Sequence, residues 1–252
     1  MKKFALGFCL IFLCNLFAQE PPQSGPRVLY IGDSITDGNW GGGGALSSAQ
    51  RNHWDQNHLF GSGYMYLCAA YYMGSFPERH YQFYNRGISG HTLADLAARW
   101  QEDVMDLSPD ILSVLVGVND VEYGINDPER EFDPVEWERL YRELLDRTRA
   151  RFPEVKLVIG APFAAGNVRK ENKEEAARYD VLIRLCAEIA KRIAGDYQAV
   201  FLPYHEMYDE LSDVLYPTVP VTYWLWDGVH PTAAAHQRMA ELWIKNVDTW
   251  MK

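Results

Sequence analysis

RVLYIGDSITDG, residues 27–38, carries a short apolar run straight into a Gly-Asp-Ser turn. Residues 27–31 read as a strand because the run is apolar, contains β-branched Val28 and Ile31, and is closed by turn residues. The same pattern recurs at 81–84, 111–116, 156–160 and 199–202. Between and after these runs lie stretches of helical period at 63–73, 92–107, 134–152, 173–194, 204–215 and 232–250. Alternation of this kind predicts an α/β fold: a three-layer α/β/α sandwich on a flavodoxin-like, five-stranded parallel sheet. Two details support the helices. Asp133, Pro134 and Glu136 supply an N-cap, a first-turn proline and a capping-box partner, and Met239, Leu242, Trp243, Val247 and Trp250 share one face.

The chain has 252 residues, 48% hydrophobic and 23% charged, enough to bury a core and ordinary for a globular protein. Its formal charge of −10, with no cluster of Lys or Arg, lacks the footprint that a nucleic-acid backbone requires. Lys2 and Lys3, the apolar run 4–13 and a small residue at Ala18 read as a signal peptide over 1–18, leaving one domain over 19–252. The run is too short to span a bilayer, so the mature chain is expected in the periplasm or outside the cell, with no membrane segment. A lipoprotein signal ending at Cys14 fits less well, since Leu13 stands where a small residue is usual. Cys68 and Cys186 sit among apolar residues of helices and read as buried free thiols, with a disulfide as the alternative.

In a parallel sheet of this type, ligands bind beyond the carboxyl ends of the strands, so chemistry should follow each run. After the first comes Ser34 on a sharp turn, a candidate nucleophile. After the second comes NRGISGHT, residues 85–92, where Gly90 can offer a backbone N–H. After the third comes GVND, residues 117–120, where Asn119 can offer a side-chain amide. Near the end, WDGVHP, residues 226–231, places Asp227 and His230 on one turn ahead of the last helix. Seventeen aspartates and seven histidines predict about 0.5 Asp-x-x-His pairs by chance, and the chain holds two, the other being Asp55 with His58. Position before a helix favours Asp227 and His230. A serine needs a histidine to take its proton, and the histidine needs a carboxylate to orient it. Ser34, His230 and Asp227 fill those roles, with the Ser34 and Gly90 N–H groups and the Asn119 amide as oxyanion donors.

These residues resemble the SGNH (GDSL) hydrolase family, whose Ser, Gly, Asn and His are matched by Ser34, Gly90, Asn119 and His230. The resemblance implies the SGNH hydrolase fold, ester hydrolysis, and no metal or organic cofactor. YIGDSITDG, NRGISGHTLADLAARWQEDV, GVNDV, APF with a nearby GN, and WDGVHPT are similar to the acetylxylan esterases of bacterial xylan degraders. That branch implies an acetylated oligosaccharide or polysaccharide as substrate and a homo-oligomer. Trp226, Phe163 and Trp54 are the aromatic candidates for lining a sugar site. His53, Asp55 and His58 read as a polar loop rather than metal ligands, and the charged run 169–178 as a solvated helix face with Glu174 paired to Arg178. Two other functions fit the fold: a lysophospholipase or thioesterase, and a carbohydrate-binding module without catalysis.

Overall fold

Each of the apolar runs becomes a strand in the computed structural model, which describes residues 25–38 and 60–252. The strands are β1 (Arg27–Gly32), β2 (Gln82–Gly87), β3 (Ile111–Leu115), β4 (Lys156–Gly160) and β5 (Val200–Leu202). They lie parallel in the order β2-β1-β3-β4-β5, with Leu29 set between Tyr84 and Leu112. The central strands are buried and largely apolar because helices cover both faces of the sheet.

After β5 comes the short helix α8 (Tyr204–Asp209), and on one face of the sheet pack α2 (Tyr64–Ser75) and α9 (Ala233–Met251). Trp243 of α9 lays its ring 5.2 Å from that of Tyr30 and donates its indole N–H to Ser113 Oγ at 3.1 Å. The other face holds α3 (Leu93–Ala98), α5 (Pro134–Arg151) and α7 (Lys173–Asp196), beside one another. Cys68 in α2 and Cys186 in α7 are buried and free.

Three local differences from the sequence reading have physical causes. β2 runs on through Asn85, Arg86 and Gly87, which read as loop. Asn85 Nδ2 donates to the carbonyls of Thr36, Asp37 and Phe60, and buried Arg86 pairs with Asp103 at 3.2 Å, so each polar residue has its partner inside the fold. The helix expected over 92–107 ends at Ala98, and a π turn over Gln101–Met105 follows. There Arg99 turns inward, donating to the carbonyls of Arg86 (2.8 Å) and Gly32 (3.2 Å) and pairing with Asp103. Asp133 caps α5 as expected, accepting from the N–H groups of Val135 and Glu136, but the Glu136 carboxylate turns to Arg139 rather than back to the cap. A complete capping box forms instead at Thr92 and Asp95, ahead of α3.

Candidate active site

The nucleophile candidate sits where β1 stops. Asp33 caps the four-residue helix α1 (Ser34–Asp37), its carboxylate accepting the Ile35 N–H at 3.0 Å, and this starts the helix at Ser34. Ser34 is 4% exposed. Its Oγ lies 2.9 Å from His230 Nε2.

His230 and Asp227 belong to a turn closed by the bridge between Leu225 and Pro231 and by the Trp226 N–H donating to the His230 carbonyl at 3.1 Å. His230 Nδ1 is 2.7 Å from Asp227 Oδ2. Asp227 Oδ1 accepts the backbone N–H groups of Val229 (3.1 Å) and His230 (2.8 Å). A tautomer with the proton on Nδ1 donates to Asp227 and leaves Nε2 to accept from the Ser34 hydroxyl. Burial lowers the His230 pKa below the usual imidazole value; the Asp227 hydrogen bond and charge oppose that shift, and Arg169 adds to it. Burial alone would raise Asp227, but the hydrogen bonds from His230 outweigh it and hold the carboxyl below its usual range.

The oxyanion candidates come from the β2–α3 and β3–α4 connections, with α4 spanning Val118–Asn126. Gly90 has φ +83°, a backbone conformation that glycine adopts without strain. Its carbonyl accepts the Tyr123 hydroxyl at 2.9 Å, and a Cβ in its place would stand 3.1 Å from that hydroxyl. Asn119 Nδ2 donates one hydrogen to the His91 carbonyl at 3.0 Å. An amide nitrogen carries two, so the second remains for a ligand oxygen. Two aspartates, buried Asp37 and half-buried Asp120, brace this loop. Asp37 accepts the N–H and hydroxyl of Ser89, and Asp120 accepts the Leu93 N–H at 3.0 Å. Asp33 thus serves as a helix cap, and Asp37 and Asp120 as acceptors that hold the β2–α3 connection. Burial raises the carboxyls of both Asp33 and Asp120 to about 7.

The aromatic candidates separate. Trp226 is 54% exposed, with its ring 6.1 Å from that of His230 and tilted by only 27°. Phe163 is a core ring, fully buried against Tyr208 (4.5 Å) and Tyr204 (6.2 Å), because the first residues after β4 still point into the sheet's packing layer. Trp54 lies outside the described residues, as do His53, Asp55, His58 and the segment 1–18. Among the described residues no group of three or more His, Cys, Asp and Glu is arranged to hold a metal ion, and no helix is long and apolar enough to cross a membrane.

Sequence reasoning missed two residues. Tyr123 orients Gly90, and its position one helical turn after Asn119 was the available signal. Arg169 was assigned to a solvated face, yet its Nη1 lies 3.2 Å from Asp227 Oδ2 and its Nε 3.4 Å from Glu122 Oε2. Glu174 and Arg178, the pair expected there, form no ion pair among the described residues.

Comparison with known proteins agrees with this geometry. Residues 30–238 match the GDSL-like lipase/acylhydrolase family. An acetylxylan esterase of Geobacillus stearothermophilus is 31% identical over 229 residues, 89% of this chain and 94% of that protein. Its solved structure has a TM-score of 0.70 at 28% identity, covering 89% of this chain and 94% of that one. Structures of that esterase described as catalytic mutants carry changes at a serine, and at an aspartate and a histidine three positions apart. A Parabacteroides merdae protein described only provisionally as a GDSL-like lipase has a TM-score of 0.77 at 28% identity, over 91% of this chain and 97% of that one. The chain is therefore an esterase that belongs to the GDSL-like lipase/acylhydrolase family, the SGNH hydrolases, on its acetylxylan esterase branch.

Proposed function

We propose that the protein is a serine esterase that removes acetyl groups from acetylated xylan or xylo-oligosaccharides after export from the cytoplasm. The observation that carries this reading is the chain of hydrogen bonds from Ser34 Oγ through the His230 ring to Asp227, at 2.9 and 2.7 Å. Its spacing repeats that of the mutated aspartate and histidine in the related esterase.

His230 Nε2 takes the Ser34 proton as Oγ bonds to the acetyl carbonyl carbon, and the carbonyl electron pair moves onto oxygen. The N–H groups of Ser34 and Gly90 and the free Asn119 amide hydrogen hold that oxyanion; losing one such donor typically costs on the order of 10²- to 10³-fold in rate. Asp227 stabilises the imidazolium, which then gives its proton to the departing sugar hydroxyl. Water activated by the same histidine cleaves the acetyl-serine and releases acetate. The exposed Trp226 ring beside His230 offers a flat apolar face to a sugar ring at the point of cleavage.

Acetate release from acetylated xylo-oligosaccharides, measured for wild type and Ser34→Ala with short- and long-chain aryl esters in parallel, tests the proposal. The expected result is release that falls by about 10⁴-fold or more in Ser34→Ala, at unchanged melting temperature, and that declines steeply with acyl length. Rapid cleavage of the long-chain ester with none of the sugar would assign the lysophospholipase or thioesterase reaction. No turnover of any ester would leave a carbohydrate-binding role.

A further inference from the structure

We infer that Arg169 is a positioning residue of this site, tying the Asp227 carboxylate to the helix that carries Asn119 and so setting the acid–base pair against the oxyanion donors. The inference rests on the serine-esterase reading above. Arg169 ends α6 (Gly166–Arg169), the short helix after β4, and its guanidinium stands between two carboxylates. Nη1 reaches Asp227 Oδ2 at 3.2 Å and Nε reaches Glu122 Oε2 at 3.4 Å. Glu122 sits on α4 three residues beyond Asn119, so the ion pair fastens the oxyanion helix directly to the acid turn.

The bridge is built in rather than incidental. Glu122 is held on its other oxygen by Lys170 Nζ (3.0 Å) and Asn126 Nδ2 (3.1 Å). At Gly228, which has φ +84°, a Cβ would stand 2.8 Å from both the Ala165 carbonyl and the Arg169 nitrogen, and the Gly228 carbonyl accepts the Ala165 N–H at 2.7 Å. Backbone of the α6 segment therefore clamps the turn between Asp227 and His230, while the Arg169 side chain clamps the carboxylate. Asp227 then has four donors on two oxygens: two backbone N–H groups on Oδ1, and His230 and Arg169 on Oδ2. A carboxylate accepts about four hydrogen bonds, so its orientation is fully determined.

Arg169 also places a positive charge beside the histidine that must become positive during turnover. Among the described residues, the groups facing His230 are Ser34 from α1, Asp227 from its own turn, Arg169 from α6 and His236 from α9, with Glu122 and Lys170 behind Arg169. Removing Arg169 takes away a charge that opposes the imidazolium and frees Asp227 to pair with His230 alone. Both changes raise the pH at which His230 gains its proton.

The experiment is the pH dependence of kcat and KM for a short-chain aryl acetate in wild type, Arg169→Ala, Arg169→Lys and Glu122→Gln. Arg169→Ala is expected to lower kcat roughly 10- to 100-fold, the cost of one charged hydrogen bond, with little change in KM and with the acid limb displaced to higher pH. Arg169→Lys should return the acid limb towards the wild-type position but recover only part of kcat, because one ammonium cannot span both carboxylates. Glu122→Gln should lower kcat by a smaller factor at an unmoved KM, and it carries the test alone if Arg169→Ala does not fold. Wild-type kcat and acid limb in Arg169→Ala, equal losses in both Arg169 variants with no pH displacement, or wild-type kcat in Glu122→Gln would each overturn the inference. Failure of the esterase reading is separate, since it appears as a wild type that turns over no ester or as turnover that Ser34→Ala leaves unchanged.

Discussion

Two charge clusters stand at the carboxyl end of the sheet, each built round an aspartate paired with an arginine, in different surroundings. In one, Asp103 is wholly buried between Arg86 and Arg99, and the arginines also bind backbone carbonyls of β1 and β2. In the other, Asp227 is shared by His230 and Arg169, with Arg169 about a third exposed. A buried ion pair contributes little net stability but becomes costly once one partner is lost, because the remaining charge has no water to turn to. A partly exposed pair has water as a fallback and so can accommodate a change of charge beside it during a reaction. The first cluster therefore fixes the strand ends, and the second leaves a carboxylate able to answer a proton moving onto His230.

Replacing the two aspartates by asparagine breaks the comparison in opposite directions. Asp227→Asn should lower kcat by on the order of 10⁴-fold while leaving the melting temperature close to wild type, since the amide can present its N–H to the ring and favour the wrong tautomer. Asp103→Asn should cost about 3 to 5 kcal/mol of stability by removing the buried negative charge that lies between Arg86 and Arg99, a fall of roughly 10 °C in melting temperature. Its turnover per folded molecule should suffer far less than that of Asp227→Asn. Thermal denaturation and steady-state kinetics on the same two preparations check this. If Asp103→Asn lost activity without losing stability, the division between the clusters would fail.

The pH profile of the wild type sharpens the second cluster. Burial and Arg169 lower the His230 pKa, and Asp227 pulls it upward without prevailing, so the acid limb of kcat/KM should have its midpoint below the ~6.5 of an ordinary histidine. Activity falls as pH drops through that point because protonated Nε2 can no longer accept the Ser34 proton. A midpoint above ~6.5 would mean that Asp227 outweighs burial.

How much of this was readable from the chain depended on distance along it. Short-range features came through well: the run 27–31 followed by GDS, the Asp227 to His230 spacing, and the Asp133 cap all involve neighbours a few residues apart. The Ser34 contact with His230, 196 residues away, followed only because parallel sheets collect their ligand residues at one end. What escaped reading was set by tertiary partners. Arg86 looked like a loop residue because nothing nearby in sequence announces Asp103. Arg169 looked solvated because Asp227 lies 58 positions further on. Phe163 sat in the right place after β4, yet the direction of one side chain depends on how far the packing layer reaches past the strand.

A last and smaller effect concerns the carboxylates that neither cluster neutralises. Asp33 and Asp120 have no arginine partner among the described residues, and burial raises both to about 7, against ~3.8 for a free aspartate. Between those values the folded chain keeps protons that the unfolded chain has released, so ionisation of these groups removes stability as pH rises from 4 to 7. Asp120→Asn cannot ionise, and its side-chain oxygen can still accept the Leu93 N–H. The variant should melt close to wild type at pH 4 and a few degrees higher at pH 8. A variant that melted lower at pH 8 would show that the charge on Asp120 holds the Gly90 loop more firmly than burial penalises it, placing Asp120 functionally with Asp103.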